Sequence, residues 1–500
     1  MGIFDFDFST LFTLTNFLVI IIGTLVGLCI GALPGLGGIV GIVLLLPFTY
    51  NLSPIAAILL LLAAYQAGSY GGSISSIVLG IPGTPAAAAT LLDGNTLAKK
   101  NSPGKALAYS LTASSIGGLT GGLVLLFLAV PLGHFALNFS SPEFFLIAAF
   151  SLMAVGGLSS ADKTKSMISV VLGLMASTVG MDMFTGQPRF TFGQNGLMDG
   201  ISIIALTVGM FAVAEIFSMI GEGMGRQHDG SSKGLSTKLS FKELKGILKV
   251  TFTGSSMGSA LGTFPGIGAD TAAWLSYSSA KKSSKNPESF GQGNPEGIAA
   301  PESANNAVVG SALIPLLTLA IPGSPSVAII MGAFIIHGIQ PGPKLFDTES
   351  QLVYGILIGF LFTTIAMYGI GRLLTPMFAR ILKVPNYILI PIIFILSITG
   401  VYISDSISFN VWFTIGAGVI FFLLIRLDFS LPSFILAFVL GPIMEENLRR
   451  ALLVSDNGYF IFFTRPYSIA ILIIIAVLFS FVLLSNRKKK RKTQENGRSV

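Results

Sequence analysis

The chain has 500 residues, 52% of them hydrophobic and only 11% charged, against about 25% charged in an ordinary soluble domain. That composition excludes a soluble globular protein, because the residues for a charged surface are missing. The net charge of +7 is not a nucleic-acid signal either: much of it lies in Arg487-Lys488-Lys489-Lys490-Arg491-Lys492, directly behind an apolar run, as in a cytoplasmic membrane flank.

The first ten residues carry Asp5 and Asp7 and no basic residue, so they lack the basic start of a signal peptide, and the apolar run Leu14 to Leu33 reads as a retained helix. Cys29 stands alone within it, so no disulfide framework or Cys-based metal site can be built. A bilayer core takes about 20 apolar residues per helix. By that measure candidate spans follow at 14–33, 55–79, 106–130, 143–160, 167–184 and 200–220, then at 247–263, 303–320, 326–340, 350–372, 386–404, 408–426, 431–443 and 467–485. Several are short or interrupted by Gly and Pro, which predicts about 12 full crossings with the others re-entrant. The stretch Gly221–Lys249 is polar and includes Arg226, Lys233, Lys238, Lys242, Lys245 and Lys249, the composition of a cytoplasmic linker. The expected fold is therefore all-α: a polytopic transmembrane helical protein with a first membrane repeat at 1–220, a linker at 221–249, a second membrane repeat at 250–485 and a basic cytoplasmic tail at 486–500.

The halves share a pair of motifs in the same order. Leu33-Pro34-Gly35-Leu36-Gly37 and Ile81-Pro82-Gly83-Thr84-Pro85 recur as Phe264-Pro265-Gly266-Ile267-Gly268 and Ile321-Pro322-Gly323-Ser324-Pro325, at offsets of 231 (264 − 33) and 240 (321 − 81). Two matched pairs of breakers within apolar sequence point to internal duplication. Lys99, Lys100 and Lys105 follow the first Ile-Pro-Gly, whereas Lys281, Lys282 and Lys285 precede the second and only Lys344 follows it closely. If each element lies within one net crossing, the positive-inside rule puts corresponding loops on opposite faces, so inverted repeats are expected.

A Pro-Gly pair interrupts a helix, and in lipid the freed backbone groups survive only inside protein or beside a wet cavity. A helix that resumes after such a break offers unpaired N–H groups to an anion, and one that stops offers carbonyls suited to Na⁺. The candidate substrate-binding residues are accordingly Pro34, Gly35, Gly37, Ser73, Pro82, Gly83, Thr84, Pro265, Gly266, Gly268, Asn305, Asn306, Pro322, Gly323 and Ser324. The Ser and Thr hydroxyls could instead bond back to their own helices, whereas the adjacent pair Asn305-Asn306 in an apolar setting reads as functional. Asp270, Glu215 and Asp182 are candidates for ion coupling, with structural pairing as the alternative, and His337 reads as an interfacial donor rather than a proton relay.

These motifs resemble the large membrane subunit of the tripartite tricarboxylate transporters, the TctA family. The resemblance is carried by Gly31-Ala32-Leu33-Pro34-Gly35-Leu36-Gly37, Tyr70-Gly71-Gly72-Ser73, Ile81-Pro82-Gly83-Thr84 with Leu92-Asp93-Gly94, and Gly262-Thr263-Phe264-Pro265-Gly266-Ile267-Gly268. It continues through Ala299-Ala300-Pro301-Glu302-Ser303-Ala304-Asn305-Asn306, His337-Gly338-Ile339-Gln340-Pro341-Gly342-Pro343 and Gly441-Pro442-Ile443-Met444-Glu445-Glu446-Asn447. It implies a secondary transporter in the cell membrane that imports citrate-like or other carboxylates, driven by Na⁺ or H⁺. It also implies a small membrane subunit of about four spans and an extracytoplasmic solute-binding protein, and no cofactor. A passive anion channel is the alternative, since broken helices also line pores. An intramembrane enzyme is disfavoured: Gly254-Ser255-Ser256-Met257-Gly258 has the form of a nucleophile elbow but not the strand–turn–helix setting, and no P-loop or dinucleotide fingerprint is present.

Overall fold

The computed structural model describes residues 6–33, 36–158, 162–223, 239–381, 384–455 and 458–477. Pro34, Gly35, most of the linker and the whole basic tail lie outside them. The first half begins with α1 (Leu14–Ala32), capped by the Thr13 hydroxyl, followed across the first break by α2 (Gly37–Leu45). Next come α3 (Pro54–Leu79), which ends on a left-handed Gly80, and α4 (Ala87–Lys100). α5 (Pro103–Ala136), α6 (Ser141–Leu158) and α7 (Lys163–Ser177) lead to a short antiparallel hairpin, β1 (Gly180–Met181) and β2 (Pro188–Arg189). α8 (Ile203–Thr207), a π-helical turn at Val208–Val213 and α9 (Ala214–Glu222) complete it.

The second half opens in the same way, with a helix, a break, further helices and a second break. α10 (Phe241–Gly262) and α11 (Gly268–Ser283) flank the third break. α12 (Pro295–Ser311) with α13 (Leu313–Leu319), and then α14 (Pro325–Ile336), flank the fourth. α15 (Leu345–Thr348) precedes the long α16 (Ser350–Ile381), then α17 (Asn386–Asp405), α18 (Ser408–Arg426), α19 (Leu431–Val454) and α20 (Ile461–Thr464).

Among the described residues, eight helices are long and apolar enough to cross a membrane, or nine if the bent pair at Gly458–Val477 is one span. The expected dozen is reduced because the breaks cut apolar runs into shorter pieces. The candidate at 167–184 also divides, since α7 stops at Ser177 and the chain turns into the hairpin at Gly180, where φ is +122°. Residues Phe241 to Lys249, read as linker, are helical: Ser240 and Glu243 form a reciprocal capping box that starts α10 there.

Glycine sets the packing. Gly23, Gly27 and Gly31 of α1 each lie against a carbonyl of α3, those of Leu60, Ala64 and Gly68. Gly254 and Gly258 of α10 lie against the carbonyls of Ala300 and Ala304 of α12, and Gly262 against Val308. The two seams are related by the same offsets as the breaks, 231 (254 − 23) and 240 (300 − 60). On its other side α12 is met by Gly117 and Gly121 of α5. Without a side chain at these points the backbones approach to van der Waals contact, which is how helices associate in lipid. The Gly-Ser-Ser-Met-Gly stretch is part of this seam, mid-helix in α10.

The halves interlock. α5 packs on α12 and, reciprocally, α16 packs on α3. Polarity runs from the inside out: α3 is almost wholly buried yet carries Gln66, Ser69, Tyr70, Ser73, Ser75 and Ser76, while Ile388, Ile392, Ile395, Trp412, Ile420 and Leu423 face outward on α17 and α18. That arrangement belongs to a protein whose surrounding solvent is hydrocarbon.

Candidate transport site

The breaks meet in matched pairs. In the first half the Gly83 N–H donates to the Gly72 carbonyl at 3.1 Å, and a Cβ on Gly37 would lie 3.3 Å from the Gly83 carbonyl. In the second half the Gly266 N–H donates to the Gly323 carbonyl at 3.4 Å. Gly37, Gly266 and Gly268 have φ of +66°, +88° and +73°, so the turns demand the backbone freedom of glycine. The left-handed cap Gly80 before the second break is matched by Ala320 before the fourth, at φ +59°.

Both pairs open onto one cavity of about 550 Å³. Gly37, Gly83, Thr84, Gly266, Gly268, Asn305, Gly323 and Ser324 line it, as do Glu215 and Asp270. The first residues of α2, α11 and α14 face it, together with the segment leading into α4. The N-terminal, positive ends of several helix dipoles thus share one chamber, where the Ser324 hydroxyl accepts from the Val327 amide at 3.3 Å and the Thr84 hydroxyl from the Ala87 amide at 3.3 Å. Among the described residues, no Lys or Arg lines the chamber. An anion there would be held by backbone amides and by the Thr84, Ser324 and Asn305 side chains. The two halves are bridged across it, because the Tyr65 hydroxyl of α3 hydrogen-bonds the Ser324 hydroxyl at 3.0 Å. Glu215 follows the π-helical turn, whose Met210 and Phe211 also line the chamber; a π-turn widens a helix and is characteristic of functional walls.

Other expected residues lie elsewhere. Pro34 and Gly35 fall outside the described residues. Pro82, Pro265 and Pro322 form the breaks without lining the chamber. Ser73 and Asn306 sit one layer behind the wall, Ser73 donating to Glu302 and the Asn306 amide to the Gln66 carbonyl at 3.3 Å. Asp182 is away from the chamber, at the hairpin, where Arg449 at 2.9 Å and Arg189 at 3.4 Å pair with it. The Phe184 and Thr185 amides and the Arg449 guanidinium hold its carboxyl down at about 2. His337 contacts the Thr49 carbonyl through Nε2 at 3.2 Å, beside a separate cavity. Among the described residues no cluster of His, Cys, Asp or Glu could hold a metal ion.

Two residues that the sequence did not single out matter here. Tyr65 is the bridge, hidden in a Leu-rich run. Glu302 is fully buried on α12 and accepts from four hydroxyls: Ser73 of α3, Thr90 of α4, Ser110 of α5 at 2.9 Å and Ser114 of α5 at 2.7 Å. A carboxylate in an apolar run was the available signal.

The family profile described as tripartite tricarboxylate transporter TctA family matches residues 17–436. An Agrobacterium vitis protein described as an uncharacterized 52.8 kDa protein in the TAR-I ttuC' 3' region is 37% identical over 484 residues, 97% of this chain and 96% of that protein. A second, described as an uncharacterized protein in the TAR-II ttuC' 3' region of the same organism, is 38% identical over 234 residues, 47% of this chain and 97% of that protein. No solved structure matches.

Proposed function

Because this chain belongs to the tripartite tricarboxylate transporter TctA family, the membrane component of a three-part transporter, we propose that it imports a tricarboxylate or other small organic carboxylate by ion-coupled alternating access. Its place is the cell membrane with the C-terminus in the cytoplasm, beside a small membrane subunit of about four spans and an extracytoplasmic solute-binding protein. The observation that carries this reading is the chamber into which both pairs of breaks open, with amides and hydroxyls for an anion and a hydrogen bond across it between the halves. A two-fold relation between the halves is supported by the reciprocal packing of α5 on α12 and α16 on α3, and its inverted sense by the opposite placement of Lys around the two Ile-Pro-Gly elements. Gln66 and Asn306, equivalent positions at the 240-residue offset, also meet each other, as equivalent residues do about a two-fold axis. A fixed anion pore would need no such pairing of halves.

The test is uptake of a carboxylate panel into proteoliposomes holding the chain with its small subunit and binding protein, with Na⁺ and pH gradients imposed separately. Saturable flux that follows one gradient is expected. Asn305→Ala removes an amide from the chamber wall and should raise the half-saturating carboxylate concentration by about tenfold or more, the worth of a hydrogen bond to a charged group. Flux that neither saturates nor follows a gradient would establish a channel instead.

A further inference from the structure

Behind the chamber, α3 and α12 share a polar stripe that substrate binding does not use. On α3 it consists of Gln66, Tyr70 and Ser73, spaced to share one face; on α12 it consists of Glu302 and Asn306, one turn apart. Within the stripe, Ser73 donates to Glu302 and the Asn306 side-chain amide donates to the Gln66 main-chain carbonyl. All five side chains are fully buried. Among the described residues, both polar atoms of the Gln66 amide, the Tyr70 hydroxyl and Asn306 Oδ1 have no hydrogen-bond partner. Among the described residues, no Lys, Arg or His forms an ion pair with Glu302.

Such a set is costly for a packing device. The Glu302 carboxylate accepts from the hydroxyls of Ser73, Thr90, Ser110 and Ser114 but has no positive charge beside it to offset its own, and buried amide and phenol oxygens call for partners. Both demands are met together by a cation. The ligand atoms are all oxygen, which selects a hard ion. There is a single carboxylate, which suits one positive charge. Protonation of Glu302 would neutralise the charge and leave the Gln66, Asn306 and Tyr70 oxygens orphaned. We propose that Glu302 and the oxygens of Gln66, Asn306 and Tyr70 form a binding site for one Na⁺-type monovalent cation between α3 and α12.

The place of the stripe gives the cation a route of influence. Asn305, on the chamber wall, is adjacent to Asn306 and donates to the Ser69 carbonyl of α3 at 3.2 Å; Ser69 also lines the chamber. An ion that draws α3 and α12 together behind the wall therefore fixes the spacing of wall residues on both helices. Its role as the coupling ion rests on the carrier reading above; its binding does not.

The binding test uses the purified full chain in detergent, with thermal unfolding followed in NaCl, KCl and choline chloride at equal ionic strength. A saturable rise in Tm specific to Na⁺ is expected. Glu302→Gln, and independently Gln66→Met, should raise the Na⁺ concentration for the half-maximal shift at least tenfold while the protein stays monodisperse. If Glu302→Gln does not fold, Gln66→Met and Asn306→Leu carry the test. Equal shifts in the three salts, or an unchanged Na⁺ shift in the folded variants, would overturn the site. Uptake in the proteoliposomes separates the two claims. Carboxylate flux driven by a pH gradient with no Na⁺ shift overturns the cation site and leaves the carrier. A Na⁺ shift without transport of any carboxylate does the reverse.

Discussion

Replacing Gly310 by alanine adds one methyl group where α12 crosses α5. The added Cβ would stand 2.7 Å from the Gly121 carbonyl carbon, 2.8 Å from its oxygen and 2.9 Å from the Gly122 nitrogen. Ordinary carbon contacts lie at about 3.5–4.0 Å, and all three obstacles are backbone, so no rotamer change relieves the clash. The helices must part by roughly 1 Å, and overpacking of that kind costs about 1–3 kcal/mol. Alanine also favours helix over glycine by about 1 kcal/mol. Gly369→Ala on α16 isolates that second effect, since a Cβ there meets nothing within 4 Å. The two variants should thus differ by the overpacking cost, Gly310→Ala less stable than the parent and Gly369→Ala equal to it or more stable. Thermal unfolding in detergent, read by size exclusion of the surviving fraction, measures both. If Gly310→Ala proves as stable as Gly369→Ala, glycine contact does not set the helix spacing and the account of the seams fails.

Two further expectations concern buried carboxylates. Asp182, held at about 2 by the Phe184 and Thr185 amides and by Arg449, has a depressed folded-state pKa. Its contribution is therefore fully present above the unfolded value of about 3.9 and is lost as pH falls toward 2. Pepsin should cut the hairpin of Asp182→Asn faster than that of the parent at pH ~4.5, with the gap closing toward pH ~2.5; a gap independent of pH would refute the ionised role. Asp93 accepts from the amides of Gly291, Gly293 and Asn294 at 2.9, 2.8 and 2.7 Å and from the Tyr277 hydroxyl at 2.9 Å. Asp93→Ala orphans all four donors and should cost about 2–4 kcal/mol, releasing residues 284–294 to proteolysis before the rest of the chain; an unaltered cleavage pattern would show that this loop is held by something else.

The breaks were legible in the sequence because their cause is local: Pro and Gly forbid continuous helix wherever they fall, and their spacing carries the duplication. The start of α10 was also written locally, in Ser240-Phe241-Lys242-Glu243, though its polar composition read as linker. What the sequence hid were relations between distant positions. Glu302 stood only as one letter of the Ala-Pro-Glu-Ser-Ala-Asn-Asn motif, and its four hydroxyl partners come from α3, α4 and α5, at least 188 residues away. For Asp182 the sequence left ion coupling and structural pairing both open, because its partner Arg449 lies 267 residues on. Asn305 and Asn306 are neighbours in sequence, yet helical geometry sends one to the chamber wall and the other behind it.

The glycine seams on two sides of α12 have a consequence for how this protein can be altered. A side chain that touches a side chain can adapt by rotation, but backbone resting on backbone has nothing to turn aside. Glu302, Asn305 and Asn306 ride on that one helix, held by α5 and α10. Any change that shifts it shifts the three together, like teeth on a single key. Substitutions along the seams should therefore disturb anion and cation affinities in concert, whereas changes on the outward faces of α17 and α18 leave both alone.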